Sequence, residues 1–87
     1  MAKFNFEIEF QVPGEVERYI TFDLIVFGGW SQQEIGGGIM RDCLDWDWDF
    51  HADDHSMEDQ KEILIWITNQ ERQIKEMFET KLRKHAD

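Results

Sequence analysis

The residues of this chain best placed to do chemistry are carboxylates and a pair of histidines. Asp45-Trp46-Asp47-Trp48-Asp49-Phe50 alternates three acids with three aromatic rings. In a β-strand this puts every carboxylate on one face and every ring on the other. Alternate strand residues stand about 6.6 Å apart, so Asp45, Asp47 and Asp49 carry three charges along about 13 Å. One nucleic-acid strand rises about 3.4 Å per phosphate, so the row approaches its charge density within a factor of about two.

Other chemistries find less support. His51-Ala-Asp-Asp-His55 has histidines at i and i+4, a spacing that grips Zn²⁺ from a helix face, but the segment reads as a polar turn and lacks the HExxH glutamate. Asp45, Asp47 and Asp49 suit positions 1, 3 and 5 of a calcium loop, yet Phe50 stands where glycine is needed and Ser56 where glutamate is. Gly36-Gly37-Gly38 is not followed by the Lys-Ser/Thr of a phosphate loop. Cys43 falls on the apolar stripe of a predicted helix and reads as a small core residue. General acid–base work needs a carboxyl in a desolvated pocket, whereas alternation places these in water. The expectation is a protein that is no enzyme and carries no cofactor and no metal.

The elements that must position the carboxylates are legible as periodicities. Phe4, Phe6, Ile8, Phe10 and Val12 alternate with Lys3, Asn5, Glu7, Glu9 and Gln11, predicting a half-buried strand over 3–12. Pro13-Gly14 follows as a type II turn. Ile20, Phe22, Leu24 and Val26 predict a second strand over about 18–27, whose outward face carries Thr21 and Asp23 but also Ile25 and Phe27. Ser31-Gln32-Gln33-Glu34 has the form of a helix capping box, with Trp30 and Ile35 at the staple positions. Ile35, Ile39, Met40 and Cys43 continue at helical spacing, against a cost of about 1 kcal/mol for each glycine of 36–38. A helix is preferred there over a loop.

Residues 44–50 give the third strand. Ser56 then caps a last helix over about 57–85, with a stripe of Ile63, Trp66, Ile67, Ile74, Met77, Phe78 and Leu82. The predicted fold is therefore a single α+β domain, residues 1–87, of order ββαβα: a three-stranded antiparallel sheet in spatial order 2-1-3, with two helices on one face. A 29-residue helix runs about 43 Å, against about 30 Å for the diameter of a globule of this length. Its last turns would overhang or pack on a second copy through Ile74, Met77, Phe78 and Leu82.

Of the 87 residues, 41% are hydrophobic and 14% aromatic, a composition for folding rather than disorder. The net charge is −10 and unevenly spread: residues 1–62 hold 15 Asp/Glu against 4 Lys/Arg. Such a field repels nucleic acid and anionic membranes and attracts basic partners. The lone cysteine excludes an internal disulfide and suits a reducing compartment. The alternating N-terminus is no signal peptide, and the apolar runs 24–27 and 63–67 are too short to span a bilayer, so the expected location is the cytoplasm.

These features suggest a small acidic inhibitor whose carboxylate face mimics nucleic acid and occupies a basic site on a nucleic-acid-binding enzyme. In size, charge and compactness it is similar to phage proteins that block restriction or CRISPR nucleases, which would place it in the host cytoplasm. The expected contacts are Asp45, Asp47 and Asp49, flanked by Glu7, Glu9 and Asp23, with Asp53, Asp54, Glu58, Asp59 and Glu62 extending the field. The alternative is a structural or regulatory interaction module that dimerises through its last helix. A metal-dependent protein using His51 and His55 is a third reading.

Overall fold

The computed structural model describes residues 1–85. Three strands come first: β1 (Ala2–Gln11), β2 (Tyr19–Gly36) and β3 (Ile39–Phe50). A 3₁₀ turn over Ala52–Asp54 leads to α1 (Met57–Asn69) and α2 (Glu71–His85). The molecule is α+β, but the order is βββαα rather than ββαβα. The sheet is an antiparallel meander in spatial order β1-β2-β3, which replaces the expected 2-1-3.

The difference arises at residues 31–43, where a hairpin replaces the expected helix. Gly36, Gly37 and Gly38 all have positive φ, at 126°, 57° and 78°. Successive positive values at Gly37 and Gly38 suit a two-residue type I′ turn, the turn whose twist matches that of paired strands. A right-handed helix has no place for them. The supposed capping box is put to other uses. Ser31 Oγ donates to the Asp45 carboxylate at 2.6 Å, and the Glu34 carboxylate accepts the Gly38 N–H across the turn at 3.2 Å. With no helix between them, β2 and β3 become direct neighbours.

β2 and β3 outrun β1. The last β1–β2 pair is Ala2 with Gly28, whereas β2 and β3 stay paired as far as Gly36 with Ile39. The remainder is a two-stranded arm beyond the three-stranded body. It gives the chain extents of 53 × 27 × 22 Å and a radius of gyration of 16.0 Å, against about 12 Å for a compact globule of this length.

The arm depends on its glycine turn. An L-residue with a side chain pays roughly 1–2 kcal/mol to adopt left-handed φ. Replacing Gly37 and Gly38 together by alanine is expected to strip amide-exchange protection from residues 30–43. Protection across residues 20–28 should be unchanged, because the core lies elsewhere. Equal protection of the arm in variant and parent would refute this.

The core lies between the inward row of the sheet and the helices. Phe10, Ile20, Phe22, Leu24 and Val26 form one buried cluster with Ile63 and Ile67 of α1 and Ile74 and Phe78 of α2. Phe10 stacks on Trp66 with ring centroids 5.6 Å apart, and Phe4 meets Phe78 edge-on at 5.8 Å. Leu44, Trp46, Trp48 and Phe50 are half-buried against the rim of this cluster. The Pro13-Gly14 turn has the expected form: Gly14 has φ 81° and the Glu15 N–H reaches the Val12 carbonyl at 3.1 Å.

The single long helix is broken. Gln70, at φ −112° and ψ 11°, separates α1 from α2, and its N–H is shared between the carbonyls of Trp66 and Ile67. Two helices of about 20 and 22 Å result, so there is no 43 Å rod to overhang. The expected cap holds, since Ser56 Oγ accepts the Asp59 N–H at 3.2 Å.

Candidate functional site

Strand register determines which side chains share the sheet face away from the core. Directly opposed residues lie on the same face. The inward row is apolar, and the outward row pairs Glu9 with Thr21, Glu7 with Asp23, Asn5 with Ile25 and Lys3 with Phe27. On the other side of β2, Ile25 pairs with Asp49, Phe27 with Asp47, and Gly29 with Asp45. Glu7, Glu9, Asp23, Asp45, Asp47 and Asp49 therefore occupy one open face. Burial agrees: all six are exposed, while Phe6, Ile8, Trp46 and Trp48 between them are half-buried.

Spatial order changes their arrangement. With β2 central, the acids of β1 and β3 lie on opposite edges and are offset along the strands. The result is a diagonal stripe from Glu9 through Glu7, Asp23, Asp49 and Asp47 to Asp45. Four steps of about 6.6 Å give a length of about 26 Å. Six charges over that distance fall about one per 5 Å, against one per 3.4 Å in a nucleic-acid strand. Lys3 stands at the margin of the stripe, and Arg41 beyond its Asp45 end. Ile25 and Phe27, half-buried, form an apolar midline on this face.

The three aspartates also serve the backbone. β3 is a sheet edge, and an open edge is a template for unwanted pairing. The Asp47 carboxylate accepts the Trp48 N–H at 2.8 Å, and the Asp49 carboxylate accepts the Phe50 N–H at 2.8 Å. Asp45 is held by Ser31 Oγ. Each carboxylate retains an oxygen for solvent or a partner, and each is fixed in direction by a bond within the chain. Sequence alternation places these acids outward but does not reveal the bonds.

At the Glu7 end, Glu7, Thr21, Asp23, His51, Asp54 and His55 line a shallow depression of about 270 Å³. Glu7 lies directly opposite Asp23, and like charges in that relation disfavour the pairing. The His55 ring lies 6.3 Å from that of Phe50. Among the described residues, no group of three or more His, Cys, Asp or Glu is arranged to hold a metal ion.

Apart from Asp54, which borders that depression, the remaining expected contacts lie elsewhere. Asp53 and Asp54 are exposed on the 3₁₀ turn. Glu58, Asp59 and Glu62 belong to the first turns of α1. Arg18, in the β1–β2 loop, reaches Asp59 at 2.5 Å, Glu15 at 3.1 Å and Glu58 at 3.7 Å. Its guanidinium is held above its ordinary pKa, chiefly by the hydrogen bond to Glu15, with desolvation opposing and the attraction of Glu15 and Asp59 adding to the rise. Glu58 and Asp59 thus help tie a loop to a helix start and stand apart from the stripe.

Cys43, expected in a helix core, is half-buried on the outward face of β3, opposite Ser31. Ile74 and Phe78 are fully buried within the chain, and Met77 and Leu82 are half-buried beside them. Ile74, Phe78 and Leu82 of the C-terminal stripe are thus packed into or against the core, while Met77 borders an open depression with Phe6, Gln73 and Lys81. No helix among the described residues is long and apolar enough to cross a membrane. Compared with protein-family models, curated proteins and solved structures, the chain matches none.

Proposed function

We propose that the chain is a small, non-enzymatic inhibitor whose acidic sheet face competes with nucleic acid for a basic site on a partner protein. The observation that carries this reading is the stripe: six carboxylates from three strands on one open face, near the charge spacing of a phosphate backbone. Two further features support it. The Glu7–Asp23 juxtaposition works against the fold, as expected of charge kept for something other than stability. Bonds to Trp48 N–H, Phe50 N–H and Ser31 orient the Asp47, Asp49 and Asp45 carboxylates in advance, so less freedom is lost on binding. The partner is a basic nucleic-acid-binding enzyme, with host-defence nucleases of the restriction or CRISPR type the leading class, and the site of action is the cytoplasm of that host.

The test begins with capture of partners at low and at high salt, followed by a competition assay between the chain and DNA or RNA on the purified partner. Competition and a steep loss of affinity with salt are expected. Changing Asp45, Asp47 and Asp49 together to asparagine removes three charge pairs worth about 1 kcal/mol each, so binding should weaken on the order of a hundredfold. Circular dichroism should show the fold retained. Simultaneous binding of chain and nucleic acid, or undiminished affinity of the triple variant, would sink the proposal.

A further inference from the structure

The arm is the part of the molecule that its own fold leaves unfinished. A two-stranded ribbon is marginal in water and gains independent stability from a third strand. Here residues 29–36 of β2 have β3 on one side and no strand on the other, because β1 ends opposite Gly28. Its large apolar side chains are exposed: Trp30 by 50%, Ile35 and Ile39 by 61%, and Met40 by 52%. The opposite edge of the sheet, formed by β3, is treated differently in the body, since Asp47 and Asp49 cap N–H groups there.

From this geometry we infer that the arm is a homodimerisation element, in which residues 29–36 of β2 pair antiparallel with the same residues of a second copy. Charge selects the occupant. Residues 29–43 hold Glu34 and Asp42 against Arg41, a net charge of −1 in a chain of −10. The arm is therefore close to neutral, and a basic partner would be drawn to the sheet face instead. Two copies, by contrast, repel one another everywhere except at the arms.

Arm-to-arm pairing also keeps the acidic bodies apart. The eight paired residues span about 26 Å, and charges are screened over about 8 Å at physiological salt. Eight residues of strand edge, with Trp30 and Ile35 of each copy on the joined strands, make the contact, while Ile39 and Met40 lie one strand away on β3. Joined about a two-fold axis normal to the sheet, both open faces point the same way. The dimer stands independently of the proposed inhibitory role, because none of the stripe residues outside the base of the arm takes part.

Light scattering coupled to size exclusion, from micromolar to hundreds of micromolar, reads the result directly. The expected mass is twice 10.5 kDa, with a monomer appearing on dilution. Changing Trp30 and Ile35 together to lysine puts four like charges across the joined arms and should give 10.5 kDa at all concentrations. The variant lies outside the core, so its circular dichroism should match the parent. Gln32→Pro is a second variant, which breaks strand pairing without adding charge, and it should likewise yield monomer. A monomeric parent throughout the range, or a doubled mass retained by both variants, would overturn the inference.

Discussion

Gly28→Ala is expected to detach β3 from the body and lower the melting temperature by at least about 12 °C. Gly28 has φ 147°, outside the range natural to a residue with a side chain, and a methyl group there would run into the Asp45 carbonyl oxygen. It would also stand 2.8 Å from the Trp46 Cα and 2.9 Å from the Asp45 carbonyl carbon. These are backbone atoms of the paired strand, so no side-chain rotation relieves the clash. Strain of this kind and the lost pairing together cost about 3 kcal/mol or more. A domain of this size shifts by about 4–8 °C per kcal/mol. Because β3 carries Trp46, Trp48 and Phe50 to the core margin, near-UV circular dichroism should change with the melt. A melting temperature within about 3 °C of the parent would show that the sheet tolerates a Cβ at this position.

The second large effect is expected at Phe78. Its ring is fully buried and meets Phe4 edge-on, linking α2 to β1. Truncating a buried phenylalanine to alanine costs about 3–5 kcal/mol. The whole stability of an 87-residue domain is about 4–13 kcal/mol. Phe78→Ala is therefore expected to remove from about a quarter to all of the chain's stability. Phe78→Leu, which retains most of the volume, should fold with a smaller loss. Urea titration distinguishes the cases, and a loss below about 1 kcal/mol for the alanine variant would mean the ring is not central to the core.

The strands of the body are legible in the sequence because alternation is a direct imprint of a two-sided sheet. Phe4 to Phe10, Ile20 to Val26 and Leu44 to Phe50 all point where their parity requires. Residues 31–43 were not legible in the same way, because Ser31 and Glu34 satisfy both a helix cap and a hairpin. The decisive signal was the glycine triplet, which costs a helix dearly and supplies positive φ to a turn without strain. Misplacing that one element alters the spatial order of every strand that follows.

The candidate stripe survives this change for a simple reason. Facing depends on residue parity within each strand, whereas adjacency depends on connection. Parity was readable from Asp45, Asp47, Asp49, Glu7, Glu9 and Asp23, and adjacency was not. The break at Gln70 was hidden for another reason: Ile63, Ile67, Ile74 and Phe78 keep helical phase across it, so a break that preserves phase leaves no mark on periodicity. The bonds from Asp47 and Asp49 to their following N–H groups arise from an exposed edge, and the sequence does not show which strand lies at the edge.

The alternation along β3 has a consequence for how such a protein can change over generations. Rings and carboxylates occupy separate faces of one strand, so substitutions at the odd positions leave the packing of the even ones intact. The outward row can be rewritten codon by codon, so long as acceptors for the Trp48 and Phe50 N–H groups are kept, while the inward row keeps the chain folded. A short alternating segment thereby separates the inheritance of a scaffold from the inheritance of a surface.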